Sequence, residues 1–276
     1  MMSEKKNSFA LIGASKTGTA LAYHLEKAGF LPTFLWNRGV AGIERTIKYV
    51  RFQQSAAELT AFPQDIEWII IAVSDDAIPT VTRDLSKVLK TGTGKRVFHI
   101  SGAWDSALLM DLEKKDCRTG SFHPLLSAPD IDTGIAMMGD AVFSCEGEIA
   151  QDLKQLAEII GGTGIVLNAE QKSLVHLSAV FVNNFQTVTI QALKQLAESK
   201  DISSSQLALL LKTVSQQAID NAWTKPLNES LTGPIVRGDQ RTINQHQDQL
   251  RDAPELGKLY KQYVALTRQL LKTELE

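Results

Sequence analysis

Residues suited to chemistry lie in a few short segments of this chain. The first is Gly13-Ala14-Ser15-Lys16-Thr17-Gly18, set between an apolar run and a segment of helical periodicity. Glycines at such a junction permit a tight turn out of a strand and close packing of the next helix on that strand. The helix N-terminus then offers unpaired N–H groups and a positive dipole end to phosphates. This is the G-x-G-x-x-G pattern with Ser15 at its second glycine. A second apolar run, Pro32–Trp36, ends in Asn37-Arg38. An acidic residue here would bind a ribose 2′-hydroxyl, whereas arginine suits a 2′-phosphate, so the expected cofactor is NADP. An ordinary strand–helix turn with a solvated arginine is the plain alternative.

Further candidates follow. Ser101 ends an apolar run and could hydrogen-bond a substrate or an amide, or serve only as a turn or N-cap serine. His123 precedes Pro124, which holds its backbone extended, so the imidazole could orient a carbonyl or donate a proton. Lys172, His176, Asn183 and Asn184 share a segment of helical spacing, where offsets of four, seven and eight residues put them on one stripe. Polar groups on one stripe of an otherwise apolar helix need partners if buried, which suggests a pocket holding an acid/base and an amide. Solvated residues and a polar subunit contact are the alternative. Arg237 and Asp239, among glycines and a proline, read either as a carboxylate clamp or as an Arg–Asp pair fixing a loop.

The elements that must position these residues fall into two halves. Strands and helices alternate through residue 168, which predicts a mainly parallel sheet covered on both faces. Strands are expected at 9–12, 32–36, weakly at 50–53, then at 66–73, 96–100, 120–124, 141–144 and 165–167. Helices are expected after Ser74 and over 148–160. From Ala169 to Ser199 the pattern is helical without proline or glycine, which makes one helix about 45 Å long. Its apolar residues suggest that it is buried. Helical patterns follow at 203–223, 239–250 and 255–276. The expected architecture is an α/β Rossmann-type domain over 1–168 and an all-α domain over 169–276.

Bulk properties narrow the function. With 43% hydrophobic and 22% charged residues the composition is that of a soluble globular chain. A net charge of −2 gives no case for nucleic acid or anionic membrane as the main partner. The polar start, Met1–Asn7, and the lack of an apolar run near ~18 residues argue against a signal peptide or membrane span. Cys117 and Cys145 lack metal-ligand spacing, so no metal is expected and a cytoplasmic location is.

Taken together, Ile12-Gly13-Ala14 with Gly18-Thr-Ala-Leu, Ala72-Val-x-Asp-Asp-Ala-Ile78, His99-x-Ser-Gly-Ala103, Ser121-x-His-Pro-Leu125, His176-x7-Asn184 and Leu231-Thr-Gly-Pro-Ile-x-Arg-Gly-Asp239 resemble one family. It is the bacterial Rossmann-like NADP oxidoreductases with a C-terminal helical domain of unknown function. That family is similar in architecture to pyrroline-5-carboxylate reductase and the β-hydroxyacid dehydrogenases. The resemblance implies NADP binding and a homodimer formed through the helical domain. It puts Gly13, Gly18 and Arg38 on cofactor positions and Ser101, His123, His176 and Asn184 on cleft positions; Lys172 matches the dehydrogenase lysine only by analogy. Ser15 departs from the family's glycine, so it either crowds the pyrophosphate or hydrogen-bonds to it.

The expected cofactor-binding set is Gly13, Ala14, Ser15, Lys16, Thr17, Gly18, Asn37, Arg38, Val73 and Ser74. The expected catalytic set is Lys172, His176, Asn184, His123 and Ser101. The implied activity is hydride transfer to or from a small carbonyl, hydroxy or imine compound. A dinucleotide-binding sensor without turnover is the alternative, and an S-adenosylmethionine-dependent methyltransferase a weaker one that Arg38 opposes.

Overall fold

Alternation of apolar side chains, at the strand period of two, builds the sheet. In β1 (Ser8–Ile12), Phe9 and Leu11 pack into one core cluster while Ala10 and Ile12 pack into another on the opposite face. This computed structural model describes residues 7–273. The first six residues of the polar N-terminal segment and the last three residues of the final predicted helix lie outside that range.

After β1 come α1 (Lys16–Lys27), β2 (Leu31–Trp36), α2 (Val40–Thr46), β3 (Gln54–Ala56), β4 (Trp68–Ile71) and α3 (Ile78–Val88). They are followed by β5 (Arg96–His99), α4 (Met110–Glu113), β6 (Arg118–Leu125), α5 (Ile131–Met138), β7 (Val142–Gly147), α6 (Ala150–Ile159), β8 (Thr163–Val166) and α7 (Ala169–Ala179). The eight strands run in the order β3-β2-β1-β4-β5-β6-β7-β8. Every pairing is parallel except β6 with β7. The mainly parallel α/β sheet is as the sequence predicts.

β4, with all four residues buried, lies at the centre of the sheet. Trp68 and Ile70 feed one cluster, and Ile69 and Ile71 the other. On one face an aromatic ladder crosses three strands, with Phe98 edge-on to Phe122 at 5.5 Å and Phe122 stacked on Phe143 at 4.4 Å. Such pairs add about 0.5–1.5 kcal/mol each beyond their buried area.

The weak third strand expected at 50–53 instead forms at Gln54–Ala56. Val50 is fully buried in the turn after α2, so its apolar character serves the core rather than a ladder. The real strand is an exposed edge of polar and small residues, which carries no apolar signal.

The chain divides into two compact units, Met1–Phe181 and Val182–Glu276. α7, with Lys172 and His176, belongs to the first. The second contains α8 (Gln186–Glu198), α9 (Ser204–Thr224), α10 (Leu227–Ser230), α11 (Gln240–Gln249) and α12 (Pro254–Thr273). The predicted regular helix from Ala169 to Ser199 is interrupted by a π-helical segment, Val180–Phe185. The expectation of burial there is also corrected, since Leu174, Phe181, Val182 and Val188 are all more than half exposed in the single chain. No helix among the described residues is long and apolar enough to cross a membrane.

Candidate active site

The glycine turn has the steric features that its sequence predicts. Gly13 holds φ +101°, and a Cβ there would lie 2.5 Å from the Ala72 carbonyl oxygen and 2.6 Å from Val73 Cγ1. A Cβ on Gly18 would lie 2.3 Å from Ala72 Cβ, so only glycine lets α1 pack this closely on the end of β4. Ser15 has ordinary extended backbone, φ −67° and ψ 157°. Its Oγ accepts the Gly18 N–H at 3.0 Å and caps α1. No positive φ is needed where the pattern usually has its second glycine. Lys16 and Thr17, the first helical residues, keep N–H groups without an intrahelical acceptor. The Lys16 ammonium is held by the Pro129 carbonyl at 2.5 Å.

Next to this turn lies a cleft of about 400 Å³, lined by Gly13, Ala14, Ser15, Asn37, Arg38, Val73 and Ser74 among others. Its volume falls in the range of cofactor sites, about 300–1,000 Å³. Asn37 Oδ1 accepts the Ala14 N–H at 3.2 Å, so this side chain shapes the turn. Arg38 is exposed on the cleft wall.

Three features here carry no signal in the glycine pattern. Arg45, on α2, donates to the Ala14 carbonyl at 2.7 Å. Gly42 lets α2 approach, because a Cβ there would lie 2.3 Å from Asn37 Nδ2. Thr80 and Asp84 of α3 line the far wall.

A second constellation forms past the end of β5, the strand next to β4. His99 is fully buried. Its Nδ1 accepts the Ser101 N–H at 3.2 Å, so Nε2 bears the proton and donates to the Asp105 carbonyl at 2.8 Å. Burial drives its pKa down to about 4. A histidine within an apolar strand, as in Arg96–Ile100, was the one available signal for it.

From α7, Lys172 reaches the same corner and is 2% exposed. Its Nζ donates to the Ser101 carbonyl at 2.7 Å and the Gly102 carbonyl at 2.8 Å. Burial lowers its pKa to about 8 against the opposing pull of Glu146, Asp75 and Asp105. The Ser101 hydroxyl accepts weakly from the Trp104 N–H at 3.4 Å.

His123 Nδ1 meets the Ile100 carbonyl at 3.0 Å. A carbonyl only accepts, so Nδ1 carries the proton and Nε2 is left with its lone pair. Burial, and then Lys172 and His176, push this imidazole to a pKa of about 4. His176 stands edge-on to it, with ring centroids 5.9 Å apart. Its Nδ1 is buried without a hydrogen-bond partner among the described residues. Both rings face the missing side chain of Gly102, where a Cβ would lie 2.5 Å from His176 Nδ1 and 2.6 Å from His123 Nε2.

The structure therefore brings Ser101, His123, Lys172 and His176 together. Asn184 and Asn183 lie in the other unit, where they are exposed and Asn183 Nδ2 donates to Asn184 Oδ1 at 3.1 Å. The stripe expected from 3.6-residue spacing does not carry across Val180–Phe185, where the backbone is π-helical. Asp239 caps α11 through the Thr242 N–H at 3.1 Å and hydroxyl at 2.7 Å, rather than forming an ion pair with Arg237. No group of three or more potential metal ligands occurs among the described residues.

Residues 2–124 match the family of Rossmann-like domains, and residues 141–267 match the domain of unknown function DUF2520. Among curated proteins none matches the chain in sequence. Solved structures share its fold. BF3122 from Bacteroides fragilis, provisionally named an NADP oxidoreductase, is 21% identical with a TM-score of 0.76 over 96% of this chain and 98% of its own. A reductive aminase from Aspergillus terreus, solved with NADPH and ethyl levulinate, is 17% identical with a TM-score of 0.69, covering 98% and 95%. A pyrroline-5-carboxylate reductase from Coxiella burnetii is 17% identical with a TM-score of 0.59, covering 96% and 99%.

Proposed function

In this chain, which joins a Rossmann-like domain to a DUF2520 domain, we propose an NADP(H)-dependent oxidoreductase acting on a small carbonyl, hydroxy or imine compound. The observation that carries this reading is the cleft over Gly13–Gly18, with Arg38 on its wall. The tight turn that glycine alone allows at Gly13, which exposes backbone beside the cleft, and the N–H groups of Lys16 and Thr17 without an intrahelical acceptor, suit a pyrophosphate. Solved proteins of this fold include an NADPH-bound reductive aminase, which agrees with the cofactor. NADP(H), when bound, supplies or accepts the hydride.

This chain's residues do the rest. Gly13, Ala14, Ser15, Lys16, Thr17 and Gly18 form the phosphate turn, and Asn37 holds that turn in shape. Arg38 pairs with the 2′-phosphate, and Val73 and Ser74 close the strand-end wall. Lys172 is a positioning residue, since its ammonium is spent on two carbonyls of the Ser101–Gly102 turn. His176 and His123, packed together against Gly102, serve as acid/base and orienting group, with Ser101 shaping the turn beneath them. Ser15 caps α1 without backbone strain, which weakens one of the two grounds for a sensor without turnover.

Replacing Arg38 with Asp is expected to reduce the preference for NADPH over NADH at least about tenfold, on the order of 1.4 kcal/mol. Titration of both nucleotides into wild type and variant measures this, and an unchanged preference rejects the 2′-phosphate assignment.

Val188, Leu209, Leu210 and Trp223 are each at least 65% exposed. A run of large apolar side chains of this kind suits burial against a second copy, so we expect a homodimer. Sedimentation at micromolar concentration tests this, and a monomer contradicts it. Both cysteines are free and buried, as suits the reducing cytoplasm in which we place the enzyme.

A further inference from the structure

Resting on the oxidoreductase reading, we infer that Arg45 is the positioning residue that sets the phosphate turn for a pyrophosphate, while the 2′-phosphate is left to Arg38.

Most donors of the turn are already committed. The Gly13 N–H goes to the Trp36 carbonyl at 2.7 Å. Asn37 Oδ1 takes the Ala14 N–H at 3.2 Å, and Ser15 Oγ takes the Gly18 N–H at 3.0 Å. Among the described residues, no acceptor holds the N–H groups of Ser15, Lys16 and Thr17. Three successive free N–H groups at a helix start suit the oxygens of a bound phosphate.

Arg45 controls the first of the three. The Ser15 N–H shares a planar trans peptide unit with the Ala14 carbonyl, so the two point in opposite directions. Arg45 Nη2 donates to that carbonyl at 2.7 Å. The guanidinium stays charged, and a charge-assisted bond is roughly twice as strong as a neutral one. The carbonyl is therefore held on a side chain that does not line the cleft, and the Ser15 N–H is turned the other way, with Ser15 on the cleft wall. Rotation of this one peptide would exchange them and aim carbonyl lone pairs toward an anion.

The guanidinium reaches a backbone 31 residues away in the chain because α2 comes close to the turn. A Cβ on Gly42 would lie 2.3 Å from Asn37 Nδ2 and 3.1 Å from Ala14 Cβ. Gly42 and Arg45 are three residues apart on α2, so they share the face toward the turn. Loss of Arg45 should therefore weaken every ligand that carries a pyrophosphate by the same factor. A ligand with a 2′-phosphate alone should be spared, since Arg38 lines the cleft and Arg45 does not.

The test is calorimetric titration of the full chain, as wild type, Arg45→Met and Arg45→Lys, with NADPH, NADH and adenosine 2′-monophosphate. Arg45 is exposed, so neither substitution opens a cavity. Arg45→Met should bind NADPH and NADH at least about tenfold more weakly, with their ratio kept within about twofold and the monophosphate within about threefold. Arg45→Lys keeps a charged donor and should bind both dinucleotides at least about threefold tighter than Arg45→Met. Unchanged dinucleotide affinity in Arg45→Met, a loss confined to NADPH, an equal loss for the monophosphate, or no recovery in Arg45→Lys overturns the positioning role. Failure of the wild type to bind either dinucleotide overturns the oxidoreductase reading instead. Where the monophosphate binds too weakly to measure, the NADPH-to-NADH ratio and the lysine variant decide the matter.

Discussion

A Gly13→Val chain is expected to bind NADPH at least about 100-fold more weakly than wild type and to melt several degrees lower. Valine at φ +101° is an outlier backbone for a β-branched residue, and such strain costs on the order of 1–3 kcal/mol. Its Cβ would also lie 2.5 Å from the Ala72 carbonyl oxygen and 2.6 Å from Val73 Cγ1. The turn must therefore move away from the end of β4, and the N–H groups it presents to phosphate move with it. A hundredfold loss corresponds to about 2.7 kcal/mol. The control is Ser15→Gly, which restores the usual pattern. It removes the cap on Gly18 N–H but is expected to cost only a few tenths of a kcal/mol and to leave NADPH affinity within threefold. Calorimetric titration and thermal unfolding measure both variants. Normal NADPH binding by Gly13→Val would refute the phosphate-turn assignment.

The second large effect is expected at Lys172. Lys172→Met keeps much of the side-chain volume but removes the donor to the Ser101 and Gly102 carbonyls. Each carbonyl left unsatisfied costs about 1–3 kcal/mol, so the Ser101–Gly102 turn against which His123 and His176 pack should loosen. Substrate turnover should fall at least 100-fold while NADPH affinity stays within threefold, since the cofactor cleft is lined by other residues. Parallel losses of affinity and turnover would contradict the positioning role.

The pH dependence gives an independent readout. Burial lowers the Lys172 ammonium from its ordinary 10.5 to about 8. Between about pH 8 and 10.5 the folded chain has released this proton while the unfolded chain still holds it. The unfolded state then binds more protons, so this group makes stability rise with pH in that window. Below about pH 8 both states are protonated, and the desolvation penalty of the charged form is present in full. Wild type minus Lys172→Met, followed by urea unfolding from pH 7 to 10.5, should show that rise. Turnover in wild type should fall as pH passes 8 and the Lys172 ammonium loses its charge.

Much of this was legible because local and global signals agree. Phe9–Ile12 and Trp68–Ile71 are continuously apolar, as central strands covered on both faces must be, and Gly13 and Gly18 sit where close approach excludes a Cβ. Where the reading failed, tertiary context outweighed local pattern. Val50 is apolar because a turn buries it, and the edge strand at Gln54–Ala56 has no apolar signal to give. The π-helical segment at Val180–Phe185 leaves no mark in residue type, so spacing arithmetic from His176 to Asn184 assumed a regular helix. In the candidate site, His123, Lys172 and His176 were visible by type. Their roles were not, because those depend on which ring nitrogen is bonded and on two carbonyls 70 and 71 residues away in the chain. Arg45, Gly42 and His99 were missed for the same reason.

The central claim is that the cleft over Gly13–Gly18 takes NADP(H). Calorimetric titration of the purified wild-type chain with NADPH and, separately, NADH tests it most directly. Micromolar binding of NADPH with at least tenfold preference over NADH is the expected result. Binding of neither nucleotide, or a preference for NADH, would contradict it.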